Sequence, residues 1–497
     1  AGFTTGILNV AIGVNALDAV TTATRNVAVG SGAGGGTTSS GGVFIGNYAG
    51  SAANADNVVL IGRDAGQSIT GAGNIAIGYT ALGVHTTGAR NIAIGEGAMD
   101  DTNAGSTSLG SADNIFMGYN AGGGTWTDVA SNQNVAIGNY SMDSALDGAL
   151  KNTSVGYSSL GGITTGDSNT ALGHNAGTSI TTGAENVTIG AASGQTISDG
   201  NYNTILGSSS ALSLAGGSYN NIIGRRAGYS LTSGEYNTAL GSTALYSNQT
   251  GQGSVGLGHA AGYSFTGGGG VFMGYEAGHG VATGDVVFIG YQSGKRARGT
   301  GNTGLGYRAL YGADSTAANN TGTYNTAIGQ YALNWFSKTV GSTAVGAEAG
   351  YYTTGSYNTF MGYKAGHGGT TSAPYSSGQS NTAVGYAALD AFTTGHSNNA
   401  FGVAALGQVT TGQYNIGIGN SAGGAITTGQ ANVAISQDAL ASNQATNDMI
   451  AIGFQAMYQS NHADTAGNVA IGYTALRMNI KGAQNVAIGE EAGRYAT

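Results

Sequence analysis

The sequence predicts an all-β protein, a parallel β-solenoid of about 28 coils, and three observations predict it. Glycine supplies 93 of the 497 residues and is spread evenly along the chain. The five-residue word Asn-Ile-Ala-Ile-Gly stands at 74–78 and again at 91–95, and related words recur from end to end. Within the word, large and small apolar residues alternate, which is typical of a strand and not of a helix.

The register of the repeat is set by the last residue of the word, called the anchor below. Anchors recur at 28 positions, mostly every 16 or 17 residues, and all are glycine except Ser436. The residue before the anchor is always apolar, and the third residue after it is always Ala or Ser. We expect the anchors to form turns in which glycine supplies unusual backbone angles; examples are Gly78, Gly95, Gly173, Gly190 and Gly489.

One repeat is too short for two packed helices, and glycine at this density would cost about 1 kcal/mol per residue in a helix. We therefore expect each coil to hold a short strand ending at the anchor, a second short strand around the Ala or Ser, and a polar turn. Coils stack about 4.8 Å apart, so 28 of them would extend roughly 130 Å. Length alone suggests about three domains, but the unbroken repeat predicts one continuous domain over 1–497.

Asparagine stands four residues before the anchor in most copies. In stacked coils, identical positions meet, so this column predicts a structural ladder of side-chain amides. Five consecutive members are Asn169, Asn186, Asn203, Asn220 and Asn237.

Two residues before the anchor, alanine is the commonest residue, which predicts a small-residue strand face. Such a face would allow close approach of another chain, and it favours a trimer packed around an axis. Five copies carry phenylalanine there instead. These rings would either fill the space between chains or pack inside one chain: Phe44, Phe116, Phe272, Phe288 and Phe360.

The tandem pattern Asn-x-Ala-Ile-Gly-x-x-Ala resembles the head repeats of YadA-like trimeric autotransporter adhesins. With its Thr-Thr-Gly turns, it is also similar to repeats in phage tail-fibre and surface-fibre proteins. The resemblance covers about residues 6–495 and implies a left-handed parallel β-roll, trimeric and extracellular, on a cell surface or a virion. The coil is longer than that of the adhesin heads, and no heptad stalk, membrane anchor or chaperone domain is recognisable. The chain opens and closes inside a repeat, so we expect a processed or partial chain, or a unit whose ends meet other subunits.

Insertions interrupt the register and are expected to form loops on one face, often the binding face; they lie near 100–113, 122–133, 311–324 and 367–380. Aromatic residues in loops or turns, Trp126, Trp335 and Tyr375, are candidate contacts for a cell-surface glycan or receptor. The alternative is that these rings pack onto the solenoid. Tyrosine follows the anchor in several coils, which predicts a stacked ladder of Tyr275, Tyr291 and Tyr307.

Charge and composition exclude several classes. Fifteen basic and 24 acidic residues give a net charge of −9, which argues against nucleic-acid binding. No apolar run approaches the roughly 20 residues that span a bilayer, and the chain has no cysteine. The densest basic cluster is either an anion contact or a solvated turn; it consists of Lys295, Arg296, Arg298 and Arg308. The seven histidines share no column or ligand spacing, so we expect no enzyme activity, metal or cofactor.

Three function classes remain open. The leading one is a structural fibre: the shaft of a phage tail or surface fibre, or an adhesin head that presents loops for attachment. The second is a subunit that assembles end to end into an extracellular filament, since open solenoid edges pair readily. The third, which the sequence supports least, is an ice-binding solenoid. In Thr-Thr-Gly the two threonine side chains point to opposite sides, which breaks a flat threonine face.

Overall fold

The computed structural model describes residues 5–85, 87–100, 110–281, 284–312, 320–369, 375–460, 465–479 and 481–495. Within these ranges every named element is a β-strand of three residues, and no helix is present. The all-β class is therefore confirmed. Contacts divide the chain into two units, Ala1–Gly253 and Ser254–Thr497, and each is described by itself. Pro374 and the middle parts of three predicted insertions lie outside the described residues.

The first unit contains fourteen strands, one in each coil. They are β1 Val10–Ile12, β2 Val27–Val29, β3 Val43–Ile45, β4 Val59–Ile61, β5 Ile75–Ile77, β6 Ile92–Ile94, β7 Ile115–Met117, β8 Val135–Ile137, β9 Thr153–Val155, β10 Thr170–Leu172, β11 Val187–Ile189, β12 Thr204–Leu206, β13 Asn221–Ile223 and β14 Thr238–Leu240.

The second unit contains another fourteen. They are β15 Val255–Leu257, β16 Val271–Met273, β17 Val287–Ile289, β18 Thr303–Leu305, β19 Thr326–Ile328, β20 Thr343–Val345, β21 Thr359–Met361, β22 Thr382–Val384, β23 Asn399–Phe401, β24 Ile416–Ile418, β25 Val433–Ile435, β26 Ile450–Ile452, β27 Val469–Ile471 and β28 Val486–Ile488.

Within each unit, every strand pairs in parallel with the strand of the next coil. The register places equivalent residues opposite one another, as in Ile75 with Ile92 and Ala76 with Ala93. Where an insertion lengthens a coil, the pairing is unchanged, as between Ile92 and Ile115. The predicted parallel solenoid and its register are confirmed. The left-handed sense, the trimer and the continuity of 1–497 stay predictions.

The predicted second strand around the Ala or Ser is wrong. The second and fourth residues after the anchor have left-handed backbone angles, for example φ of 54° at Thr80 and 52° at Leu82. Two such residues bend the chain twice within one turn, so the segment cannot be extended. It still bonds to the next coil, since the backbone N–H of Leu82 donates to the Ala98 carbonyl at 3.1 Å.

The anchors stack backbone on backbone. A Cβ atom added to Gly95 would lie only 2.3 Å from the carbonyl oxygen of Gly118, the next anchor. Glycine is therefore required by close approach as well as by its backbone angles. The five anchors singled out in the sequence all have positive φ: Gly78 143°, Gly95 133°, Gly173 140°, Gly190 124° and Gly489 126°.

The small strand face points inward, which reverses the sequence interpretation. Ala76 is completely buried, whereas Ile75 and Ile77 on either side of it are half-buried. The coil is thin, and the central strand residue shares the space between the strand and the turn segment with other core side chains. The first and last strand residues face outward, so the alanine column does not offer a surface to another chain.

The five phenylalanines at the central strand position are fully buried within the chain. Packing inside one chain is the correct alternative, and filling of an inter-chain space is wrong. Each ring is accompanied by glycine at the fourth position after the anchor. A Cβ atom on Gly294 would lie 2.2 Å from the Phe288 ring, and one on Gly366 would lie 2.2 Å from Phe360. Glycine at the fourth position therefore makes room for the ring.

The seventh position after the anchor also points into the core, which the sequence did not reveal. In coils with a small central residue it can carry a large side chain, such as Ile180 or Phe392. In two of the phenylalanine coils it is smaller: Ala297 follows Phe288, and Val281 follows Phe272. Three positions thus share one core volume within each coil.

Candidate functional site

One of the two outward positions of the strand is apolar along both units. The last residue of every strand is Ile, Val, Leu, Met or Phe, and none of these side chains is buried. Leu172 is 48% exposed, Leu240 is 47% exposed and Met361 is 47% exposed. Because the strands are in register, these side chains form a continuous apolar row on each unit. The alternation in the sequence indicates two faces but does not say which is inside.

The asparagine column forms a buried ladder of hydrogen bonds. Nδ2 of Asn186 donates to Oδ1 of Asn169 at 3.1 Å, and the Asn186 backbone N–H donates to the same oxygen at 3.0 Å. Nδ2 also donates to the Gly200 carbonyl at 2.8 Å. The same bonds continue through Asn203, Asn220 and Asn237. The ladder satisfies turn carbonyls and fixes the coil register, and it leaves no free face for a ligand.

Trp126 does not fit its predicted role as a surface contact. It is completely buried, packs edge-on against Phe116 with ring centroids 5.6 Å apart, and its Nε1–H donates to the Gly122 carbonyl at 3.0 Å. The extra residues of this coil let the indole occupy the core position that the seventh residue after the anchor takes in other coils. There it lies beside the Phe116 ring and Gly122. The alternative, packing onto the solenoid, is correct for this residue.

Trp335 and Tyr375 are brought together although they are 40 residues apart in the sequence. Their rings stack with centroids 5.4 Å apart and an interplanar angle of 28°. Both side chains are half-buried. The insertion near 367–380 makes this possible, because Ser376 pairs with Thr353 of the preceding coil and so fixes the adjacent tyrosine.

The stack continues into a larger group, called the aromatic platform below: Trp335, Tyr351, Tyr352, His367 and Tyr375. The Tyr352 ring lies 6.0 Å from that of Tyr375 and 5.2 Å from that of His367, and Tyr351 stacks on His367 at 5.5 Å. Burial raises the pKa of both Tyr352 and Tyr375. Each phenol is therefore neutral at physiological pH and can donate a hydrogen bond.

Charged groups border the platform at His367. Its Nε2 lies 3.7 Å from a Glu348 oxygen and its Nδ1 lies 3.9 Å from Asp390 Oδ1. Burial lowers the pKa of His367 and raises that of Asp390. Lys364 Nζ lies 3.7 Å from Glu348. Asp390 Oδ1 is buried without a hydrogen-bond partner, although the side chain as a whole is 42% exposed.

The basic cluster is partly neutralised within the fold. Lys295 Nζ forms an ion pair with Glu276 at 2.5 Å, and this contact is among the causes that lower the Glu276 pKa. The Arg296 and Arg308 guanidinium groups lie over the Tyr311 ring at 5.7 and 5.1 Å. Arg298 is exposed. Because Lys295 is paired and two of the guanidinium groups lie on a ring, the arrangement favours a solvated turn over an anion site.

The predicted tyrosine ladder is confirmed by the ring geometry. Tyr275, Tyr291 and Tyr307 stack at centroid distances of 5.2 Å with interplanar angles of 10° and 6°. A second ladder, which the sequence did not single out, stands five residues before the anchors of the first unit. It stacks at 4.9 and 5.1 Å and consists of Tyr202, Tyr219 and Tyr236.

The Thr-Thr-Gly turns use their first hydroxyl internally. Thr164 Oγ1 donates to the Thr181 carbonyl, and Thr181 Oγ1 donates to the Ser198 carbonyl, each at 3.1 Å. These hydroxyls are therefore not presented as a regular outward array, which weakens the ice-binding hypothesis for this column.

Among the His, Asp and Glu side chains that the structure describes, no group of three or more is placed to hold a metal ion. His85 is completely buried at the seventh position of its coil, and burial lowers its pKa to about 4. It is a neutral core residue at physiological pH, where its Nε2 lies 3.2 Å from Asn91 Nδ2.

Comparison with known proteins gives no relative: no protein family, no curated protein and no solved structure matches this chain. In the described ranges no helix has the length and apolarity needed to cross a membrane.

Proposed function

We propose that the chain is a structural fibre protein, the shaft of a phage tail or surface fibre or an adhesin head, that works outside the cell as a homotrimer. The outward apolar face of the strands is the observation that carries this proposal. Fourteen strands per unit, about 4.8 Å apart, place their last side chains in an apolar strip roughly 65 Å long. Contiguous exposed apolar surface of this kind marks interaction sites in soluble proteins.

Self-association would cover this strip, since a standard interface buries about 800 Å² per partner. The interior suits a mechanical support, because each coil bonds its backbone to the next and packs its core side chains tightly. Stability in such an array is approximately the sum of coil and neighbour terms, which makes a stiff support for surface side chains.

The oligomer is tested by light scattering on the chromatographed chain and by negative-stain electron microscopy. We expect three chains per particle. A double variant, Leu172→Lys with Leu240→Lys, should release monomers, because two cations would have to be buried without partners. The matched control, Thr182→Lys at an exposed turn, should stay trimeric. A wild-type chain that is monomeric at micromolar concentration contradicts the trimer.

The location is tested by immunogold labelling of virions and cells of the source organism with antibodies raised against the chain. Label along fibres on virions or on the cell surface is the expected result. Label confined to the cell interior contradicts the proposal. Long filaments that repeat at the length of one chain would instead support the second class, the end-to-end filament.

A further inference from the structure

We propose that the aromatic platform of the second unit, with the groove beside Asp390, binds a neutral polysaccharide through the faces of its pyranose rings. This inference rests on the proposed fibre function and names the ligand class of one segment of the shaft. It goes beyond the resemblance, which says nothing about where along the coils a ligand would bind.

The first support is the presentation of the rings. Aromatic faces carry partial negative charge, and the C–H face of a pyranose carries partial positive charge, so the two stack well. Trp335 and Tyr375 are stacked on each other and half-buried, so their rings are held rigidly with part of their surface open. With the Asn334 amide turned so that its oxygen faces Trp335, the indole Nε1–H donates to it at 3.1 Å. This hydrogen bond fixes the orientation of the indole.

The second support is a polar rim that suits hydroxyl groups. Asp390 lines an open groove of about 360 Å³, whose other walls include Ala387, Gly407 and Gln408. Its Oδ1 is buried without a donor, whereas the side chain as a whole is partly exposed. A sugar hydroxyl in the groove would donate to the exposed part of this carboxylate. Small-molecule sites combine apolar walls with a few such convergent polar groups.

The charge around the platform favours neutral glycans over anionic ones. Glu348 and Asp390 face the platform with one cation, Lys364, beside them, while desolvation lowers the pKa of His367 and keeps it neutral at pH 7. The local net charge is therefore negative, and an anionic polysaccharide would be repelled. A neutral chain of hexoses meets no such penalty.

The platform also differs from the two tyrosine ladders. At 202–236 and 275–307, successive rings are nearly parallel. The platform combines parallel and edge-to-face contacts: Trp335 stacks on Tyr375 at 28°, whereas the Tyr351 and Tyr352 rings meet at 79°. Rings of different orientation can then contact successive sugars.

The test is affinity electrophoresis of the full chain in gels that contain a soluble β-glucan, a galactomannan or, as the anionic probe, alginate. We expect retardation by at least one neutral polymer and none by alginate. Trp335→Ala should weaken binding by about tenfold or more, as removal of a central aromatic anchor does. Asp390→Asn should weaken it less, because the amide retains one acceptor oxygen.

The matched control is Tyr236→Ala, which removes an exposed ring from the regular ladder of the first unit and should bind like the wild type. Circular dichroism and light scattering identify any variant that fails to fold. Absence of retardation by all neutral probes, or an equal loss in Tyr236→Ala, overturns the proposal. If the particles remain trimeric fibres in that case, only the glycan site has failed and the fibre proposal stands.

Discussion

Two kinds of coil fill the same cross-section differently. In one kind, exemplified by Phe360, a phenylalanine at the centre of the strand meets glycine at the fourth position after the anchor, here Gly366. In the other, exemplified by Ala383, a small central residue meets leucine at that position, Leu389. The two coils are neighbours and their strands pair in register. The backbone therefore stays constant while side-chain volume is exchanged among core positions.

The comparison also shows that left-handed backbone at the fourth position is independent of the residue. Leu389 has φ of 52° and Gly366 has φ of 55°. A left-handed conformation is unfavourable for leucine by roughly 1–2 kcal/mol, so burial of its side chain must offset that cost. In a phenylalanine coil, glycine at this position makes room for the ring, whereas the sequence alone suggested only a tighter turn.

The largest expected effect comes from emptying a phenylalanine coil. Phe360→Ala should destabilise its coil by about 3–5 kcal/mol, because the ring leaves a cavity that glycine cannot fill. Hydrogen exchange of amides in and beside β21 measures the loss locally, since solenoid coils open semi-independently. Adding Gly366→Leu should restore much of the protection by converting the coil to the other kind. No recovery in the double variant would show that the positions do not share volume.

The next effect comes from overfilling such a coil. Gly366→Ala should cost about 2–4 kcal/mol, because the new methyl group would overlap the Phe360 ring. Gly228→Ala is the matched control: its φ is 54°, nearly the same, but a Cβ there would lie 3.3 Å from its nearest neighbour, Ile222. That control should cost about 1 kcal/mol, the backbone term alone. Equal losses in the same exchange measurement would refute steric compensation.

We expect the asparagine ladder to contribute equally to stability in both kinds of coil. Asn358 Nδ2 donates to two turn carbonyls, and Asn381 Nδ2 donates to one. The Oδ1 atom of each accepts the backbone N–H of the asparagine in the next coil, at 2.8 Å for Asn358 and 3.0 Å for Asn381. Replacing either by alanine orphans buried backbone groups and should cost about 1–3 kcal/mol. We expect chemical denaturation followed by coil-resolved exchange to give the same loss at both sites. A twofold difference would mean that the ladder and the core are coupled.

The smallest effect at neutral pH lies at the seventh position, where His85 replaces an apolar residue. Its pKa is lowered to about 4 in the folded chain, so the unfolded chain takes up the proton first as pH falls. The contribution of the neutral side chain is complete above about pH 6.5 and is lost between there and pH 4. Local stability should fall by about 2 kcal/mol by pH 5. His85→Leu should remove this component, and parallel pH profiles for both chains would contradict it.

The strands and their register followed from the sequence because glycine, alanine and asparagine each recur at a fixed distance from the anchor. The orientation of the sheet could not be predicted, because alternation defines two faces and does not indicate which of them is buried. The predicted surface contact at Trp126 is wrong for a related reason. Its insertion lengthens the coil and moves the indole into a core position that the spacing of the repeat does not indicate. The contact between Trp335 and Tyr375 depends on where the insertion near 367–380 pairs again with the preceding coil. The sequence of a single repeat does not determine that position.

The exchange of core volume has a consequence for inheritance. Phe288, Gly294 and Ala297, which share one core volume, all lie within a single repeat of the sequence. A gene duplication that copies one repeat therefore copies the three positions together. Because neighbouring strands pair in one register throughout each unit, we expect a duplicated repeat to lengthen the stack by one coil.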